Sequence, residues 1–410
     1  MKKLLLVLLI LSLFINHLNA NEKDLNIIQK DKKEYRLLEK ESIQTRQQSQ
    51  KYDWISPIDL SGNIGRNHSF SDENSRNLNN KNTKSASIGF TQSIFESGGI
   101  GFKMEYADNR FKYEMLSWEN QNSQLIYTIY NTLLDIKKLK LEIKQNEYRI
   151  VNKDIELIIK KIQYEAGKTD IIELNNAIMS KNLIQKEEIA LKNSLKEKEQ
   201  ELAKYTDLKY DEIEILDFQE TNKDIFLDKN YSILEADAKV EMLNSEYKIK
   251  KSQYLPKLSL SAKASYSNQD EKFNSMINDT NKDDATSSGS LILSMPLYDY
   301  TKSSKIQESK IEVLKQKALV NDLKNETAFE YEQIFTKIDT YLKQNETINK
   351  NIKLYEELIG ANQISSEAGM TSKYDLEILE NTKTINEFDI LINKINILQQ
   401  YAKLYFKIKN

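Results

Sequence analysis

Two short phrases, QYEAGKTDIIEL (163–174) and SSEAGMTSKYDL (365–376), are almost the same, and each ends a long run that holds no proline. They are not isolated echoes. Ile58 matches Leu258, Phe95 matches Tyr298 and Gly167 matches Gly369, all at an offset of about 200 positions. Three landmarks at nearly one offset make the chain one unit written twice: strand, loop, strand, long helix, tip, return helix. Whatever this chain folds into must use that unit two times.

The strands are read from alternation. In WISPIDLSGNIG, Ile58, Leu60 and Ile64 alternate with Asp59, Ser61 and Asn63. In KSASIGFTQSIF, Ala86, Ile88 and Phe90 alternate with Ser85, Ser87 and Thr91. The second copy repeats this with Leu258, Leu260, Ala262 and Ala264 against Ser259, Ser261, Lys263 and Ser265, and then with Leu291, Leu293 and Met295 against Ser290 and Ser294. A period of two with one apolar face describes half-buried strands. It predicts strands over 54–67, 84–96, 256–267 and 288–297, joined by polar loops near 67–83 and 267–286.

The helices are read from longer spacings. A polar helical segment covers roughly 22–52. From about 98 to 164, Ile126, Ile129, Leu133, Ile136, Ile143 and Ile150 recur at steps of three, four and seven. In the second copy Tyr331, Ile334, Ile338, Tyr341, Ile348, Ile352 and Tyr355 keep close to a heptad, with Asn345 in one apolar slot. Runs of about 65 residues would extend roughly 100 Å at 1.5 Å per residue, too long for a compact domain. Gly167 and Gly369 supply the backbone freedom for folding back, and Asp170, Glu173, Ser372 and Asp375 suit the first turns of return helices.

Composition narrows the class. Gly 10 and Pro 3 in 410 residues leave little material for a turn-rich fold. Lys+Arg 59 against Asp+Glu 62 gives no electrostatic case for nucleic acid. With Cys 0 and only His17 and His68, the chain offers no zinc cluster and no histidine-based nucleophile system, so neither catalytic nor metal residues nor a cofactor are expected, and the chain is not read as an enzyme. The glycines of ESGGIG (96–101) lack the Lys-Ser/Thr of a phosphate loop and read as a strand-to-helix corner. Lys2 and Lys3, the apolar run Leu4–Ile15 and the small residue Ala20 have the layout of a secretory signal peptide over 1–20.

Export gives the strands a purpose. Four strands cannot close into a barrel, and open edges aggregate. In lipid only helices or closed barrels satisfy every backbone group, and an apolar face opposite a hydroxyl face suits lipid outside and water inside. Closure therefore calls for several copies; three would give twelve strands, with 67–83 and 267–286 as loops on the cell surface.

At this point the residues resemble a known family, the TolC-type outer-membrane efflux proteins. SQYLPKLSLSA resembles the entry to that family's third strand, FTQSIFESGG and LSMPLYDYT its second and fourth strands running into helices, and YEAGKTDIIEL and SEAGMTSKYDL its two tip turns. The resemblance covers essentially the whole mature chain. It implies a mainly α fold with a β-barrel portion: a homotrimer whose 12-stranded β-barrel continues into a periplasmic α-helical barrel. The organisation becomes signal peptide 1–20, first repeat 21–210 with its tip at 167, equatorial linker 211–228, and second repeat 229–410 with its tip at 369.

Function follows from the same resemblance. It implies a passive exit duct in the outer membrane with a periplasmic extension, serving a tripartite efflux or type I secretion system. The implied partners are two further copies of the chain, a periplasmic adaptor protein, an inner-membrane pump and outer-membrane lipid. The adaptor would dock on the tips, at Gly167, Lys168, Thr169, Gly369, Met370 and Thr371. Asp375, six residues past the second tip glycine, and Glu173 in the first repeat match the acid that faces the channel entrance. The sequence departs from the pattern in two places: Gln163-Tyr164 and Ser365-Ser366 stand where Arg or an aromatic residue is frequent, and Ile378 replaces a second acid. The alternative is an exported coiled-coil structural or adaptor protein without a pore, which would have no use for the alternating strands.

Overall fold

The computed structural model describes residues 24–70, 78–214, 216, 218, 220–270, 282–367 and 372–409. The expected signal-peptide segment 1–20 lies outside them. After a short 3-10 turn (Asp24–Ile27) the elements are α1 (Lys30–Tyr52), β1 (Asp59–Phe70), β2 (Leu78–Phe95), α2 (Gly99–Glu165), α3 (Ile171–Ala203), α4 (Lys223–Asp228), α5 (Tyr231–Ser252), β3 (Lys257–Asp270), β4 (Lys282–Ser294), α6 (Lys302–Glu367) and α7 (Lys373–Phe406). Helix, strand, strand, long helix and shorter helix thus occur twice.

The strand ends differ from the sequence expectation. β1 starts at Asp59 rather than 54, because residues 53–58 form a turn and an extended lead-in containing Pro57. β4 stops at Ser294 instead of reaching 297: Pro296 has no N–H to give a ladder. At the other end all four strands run further. β2 starts at Leu78 and β4 at Lys282, so parts of the expected loops 67–83 and 267–286 are strand. Polar sequence there hid the pairing, since alternation disappears when both faces are polar. Residues 71–77 and 271–281 lie outside the described residues.

The chain divides into two compact units that cut across the repeats, because each repeat gives its strands to one and its hairpin to the other. One comprises 41–115 and 235–320. It holds an antiparallel sheet of order β1-β2-β3-β4, with a bulge between Ser93 and Phe95. Its helical parts follow the same order. On α1, Arg46 pairs with Glu114 of α2 (2.9 Å) and Lys51 with Asp108 (3.2 Å). On α5, Lys248 reaches Glu105 of α2 (2.7 Å) and Ser245 accepts from Asn109 (2.8 Å). Gln316 of α6 donates to the Ala236 carbonyl of α5.

The ESGGIG segment forms the corner between β2 and α2. Ser97 (φ 50) and Gly98 (φ 88) take the left-handed backbone that turns the chain. The Gly99 N–H donates to the Glu96 carbonyl at 2.8 Å, and the buried Glu96 carboxylate pairs with Lys103 at 2.9 Å. Burial would push the Glu96 carboxyl up, but the hydrogen bond and charge of Lys103 outweigh it and hold it below its ordinary value.

The other unit comprises the described parts of 1–40, 116–234 and 321–410. Its core confirms the helical stripes: Ile129, Leu133 and Ile136 of α2 are fully buried, and so nearly are Ile334 and Ile338 of α6. The described part of the expected linker 211–228 contains packed residues. Its residues 223–228 form α4, started by Asn222, whose side chain accepts from the Asp224 N–H. Phe226 is wholly buried with Ile334, Ile338, Leu404 and Ile408, and Phe218 lies among Tyr130, Tyr405 and Phe406 with ring centroids 5.4–5.9 Å away. Eight charged residues and two aromatics, Phe218 and Phe226, over 211–228 show no period from which that packing could be read.

Glu330 ties α6 to α7 in this unit, accepting from Lys403 (2.8 Å) and Lys407 (2.5 Å). Burial alone would push its carboxyl up, but the two lysines hold it below the ordinary 4.5. A depressed carboxyl contributes stability that is present above the unfolded-state value and lost as pH falls through the folded one. Glu330→Gln is therefore expected to be less stable than the parent at neutral pH. The gap should narrow as pH drops below about 4.5. Urea midpoints measured across that range check it; a gap independent of pH would contradict the role of Glu330.

Candidate functional site

The first tip is built by local backbone chemistry. α2 ends at Glu165, and Gly167 takes φ 66. The Lys168 N–H donates to the Gln163 carbonyl (2.8 Å) and the Gly167 N–H to the Tyr164 carbonyl (2.9 Å), which is the paired pattern of a Schellman stop. The chain restarts as α3 with Asp170 as N-cap, its carboxylate accepting from the Glu173 N–H at 2.9 Å. Gly167 and Lys168 are exposed and Thr169 half-exposed.

From that turn α2 and α3 run back antiparallel. Lys160 pairs with Glu173 (3.0 Å), Asp154 with Lys181 (2.6 Å) and Asp135 with Lys198 (3.4 Å). Each pair stands about as far before Gly167 as after it, so the glycine is the fold-back point. The second hairpin behaves alike: Glu356 pairs with Lys383 (3.0 Å), and Asn393 of α7 donates to Asn345 of α6 at 2.9 Å. The polar residue in the heptad stripe thus meets an amide partner, a device that fixes register. Ser372 caps α7, accepting from the Tyr374 N–H at 3.2 Å, and Asp375 occupies its first turn. Gly369, Met370 and Thr371 lie outside the described residues.

The two hairpins meet through α2 and α7. Gln145 donates to Asp389 (2.6 Å), Asn381 to Asn152 (2.9 Å) and Gln399 to Asp135 (2.7 Å). A seam stitched by amides leaves α3 and α6 as the outer helices of the layer. Both present apolar side chains to solvent: Met179, Leu183 and Ile189 on α3, and Leu342, Leu354 and Leu358 on α6.

The predicted entrance acids differ in surroundings. Glu173 shares its charge with Lys160 inside its own hairpin. Asp375 is exposed and has no side-chain partner among the described residues. Sequence reasoning missed a third feature. Ile162, Tyr164, Ile171 and Ile172 around the first tip are exposed, the last at 65%. The signal was present: adjacent apolar residues at a helix start, as in DIIEL, cannot both face one partner helix.

The sheet has two chemically distinct faces. Leu60, Ile64, Ile88, Leu291 and Leu293 share one, and all are exposed. The other is a ladder of hydroxyls: Ser61 with Ser87 (2.8 Å), Thr91 with Ser261 (3.0 Å) and Ser265 with Thr286 (2.7 Å). Apolar side chains left exposed at this density mark a surface that meets something other than water. Among the described residues no helix is long and apolar enough to cross a membrane.

Comparison with known proteins agrees with this architecture. No curated protein matches the sequence. Among solved structures, the chain is similar to the Campylobacter jejuni CmeC outer membrane channel (TM-score 0.70, 12% identity, 92% of this chain and 84% of that one). It is also similar to the outer membrane protein VceC of Vibrio cholerae (TM-score 0.69, 12% identity, 90% and 91%). A third is the open state of the Neisseria gonorrhoeae MtrE outer membrane channel (TM-score 0.65, 12% identity, 91% and 85%). At such identities the likeness speaks for the fold. Residues 224–403 match the family described as Outer membrane efflux protein. Over those residues, all in its second half, the chain is similar to the outer membrane efflux proteins, a family of outer membrane channels and not of enzymes.

Proposed function

We propose that three copies of this chain close a 12-stranded barrel in the outer membrane, continued by a periplasmic helical tube, and act as the passive exit duct of a tripartite efflux or type I secretion system. The observation that carries this reading is the open sheet. β1 and β4 end it, and each has one edge without a ladder partner among the described residues. An apolar exposed face rules out leaving those edges in water, whereas closure in lipid satisfies both edges and face. The helices support the same assembly, since α3 and α6 expose apolar stripes at the two sides of their layer. Beside α6, Tyr247, Tyr300, Ile306, Ile311 and Leu314 line a hollow of about 750 Å³ that a second copy would cover.

Membrane-extracted protein should migrate as a trimer in mild detergent and collapse to the monomer position only on heating. A detergent-solubilised monomer that keeps its full β-structure would overturn the assembly.

In this reading a pump in the inner membrane supplies the energy and an adaptor docks on the tips. The exposed Ile162, Ile171 and Ile172 beside Gly167 favour an apolar contact there. Three unpartnered Asp375 carboxylates near one axis would form a negative constriction that attracts cations, multivalent ones most strongly. Asp375→Ala should weaken cation selectivity and relieve block by multivalent cations added from the periplasmic side in bilayer recordings. Glu173→Ala should change both less, because Lys160 already offsets that charge. If Asp375→Ala leaves conductance, selectivity and block unchanged, the residue serves only the start of α7.

A further inference from the structure

One row across the hydroxyl face carries opposite charges. Asp59 of β1 stands in register with Gly89 of β2, and Gly89 with Lys263 of β3. Both charged residues line one hollow of about 430 Å³, together with Ser61, Ser87, Thr91 and Ser261. Gly89 keeps the row open between them, and a Cβ at that position would come within 3.0 Å of the Ala262 carbonyl oxygen.

The neighbours of this row are already engaged. Ser61 bonds Ser87 and Thr91 bonds Ser261. Asp59 and Lys263 are exposed, and neither side chain has a hydrogen bond or ion pair among the described residues. At about 4.8 Å per strand step their Cα atoms are roughly 10 Å apart, too far for an ion pair but within each other's field. Two other charges with described side chains share the face. Lys257, at the start of β3, lies within electrostatic range of Glu96, and Asp284 of β4 stands in register with Ser267, away from this row.

We propose that Asp59 and Lys263 form a ring of alternating charge inside the barrel, which leaves the lumen at that level unselective between anions and cations. The inference rests on the closed trimer proposed above, where the row would hold three carboxylates alternating with three ammonium groups. Equal charges of opposite sign at this spacing cancel toward the axis, while the bare hydroxyl wall presents only neutral donors and acceptors. The cargo class that follows is a solute of either charge, or a zwitterion, with charge discrimination left to another level of the duct.

The test uses the purified mature protein in planar bilayers across a KCl gradient at low salt, where the Debye length of about 30 Å spans the lumen. Lys263→Gln should raise the cation-to-anion permeability ratio by about twofold or more, and Asp59→Asn should lower it by a similar factor. The double variant should return to the parent value. Either single variant decides by the direction of its shift, should the other fail to assemble. A second reading comes from Lys263→Cys, the only thiol in a chain with Cys 0. A cationic thiol reagent should restore the parent ratio and an anionic one drive it further from it. Shifts in one common direction, or none in conducting channels, overturn the ring alone. Failure of the parent protein to conduct overturns the duct and the ring together.

Discussion

Phe226→Ala is expected to lower stability by about 3–5 kcal/mol, the range for emptying a buried aromatic site. Phe226 has no exposed surface and fills the space between Ile334 and Ile338 of α6 and Leu404 and Ile408 at the end of the chain. Its ring lies 5.6 Å from Tyr331, whose own ring is tilted against Phe335 at 4.5 Å. All the surrounding residues except Ile408, which pairs with Asn230 just past α7, belong to two long helices, α6 and α7, and cannot collapse into the gap without bending them. α4 has only six residues and no independent means of holding its place. Loss of the ring should therefore release 211–228 as well as weaken the cluster. Urea unfolding of the detergent-purified protein, followed by far-UV circular dichroism, measures the first effect, and hydrogen exchange in 211–228 the second. A midpoint change no larger than that of the exposed Leu358→Ala would show that the cluster does not depend on Phe226.

Arg36→Ala should cost about as much, roughly 3–5 kcal/mol, by a different route. The guanidinium is buried, and it donates to Asn122 Oδ1 (2.6 Å), Gln121 Oε1 (2.8 Å), the Trp118 carbonyl (2.8 Å) and Glu39. Trp118 returns its indole N–H to the Arg36 carbonyl at 2.8 Å. Removing the arginine strands the buried Asn122 amide oxygen and Trp118 carbonyl, and each unmade bond there carries its desolvation penalty. Arg36→Lys should fail to rescue, since one ammonium cannot reproduce a planar fork aimed at four acceptors. Arg36→Met keeps much of the volume without the charge. If it is as stable as the parent in urea, packing and not the hydrogen-bond network holds α1 to α2.

The hairpin tips show how far local signals reach. Gly167 and Asp170 were legible as a stop and a start because both roles depend on residues within one turn. The ion pair between Lys160 and Glu173 was not, although the two are close in sequence. Its existence depends on how α2 and α3 settle in register after the turn. Likewise Asn345 could be marked as a polar residue in an apolar stripe, but nothing local named Asn393 as its partner.

What the sequence by itself determined is the order of elements and the faces they carry. Periods of two and of three to four are properties of backbone geometry, and proline and glycine act on their immediate neighbours. Repetition then multiplied a weak signal per segment into a reliable one. What only the tertiary structure decided is which faces meet. It set α2 against α7 through amides, left α3 and α6 with exposed apolar sides, and drew Phe218 and Phe226 of an apparent linker into buried clusters. It also brought Asp59 and Lys263 into one row with Gly89. The physical reason is common to all four. Periodicity fixes which side of an element must be covered, but pairing between distant segments is a choice among many apolar and polar surfaces of similar pattern, and it is settled by shape and by the satisfaction of buried polar groups once the chain is folded.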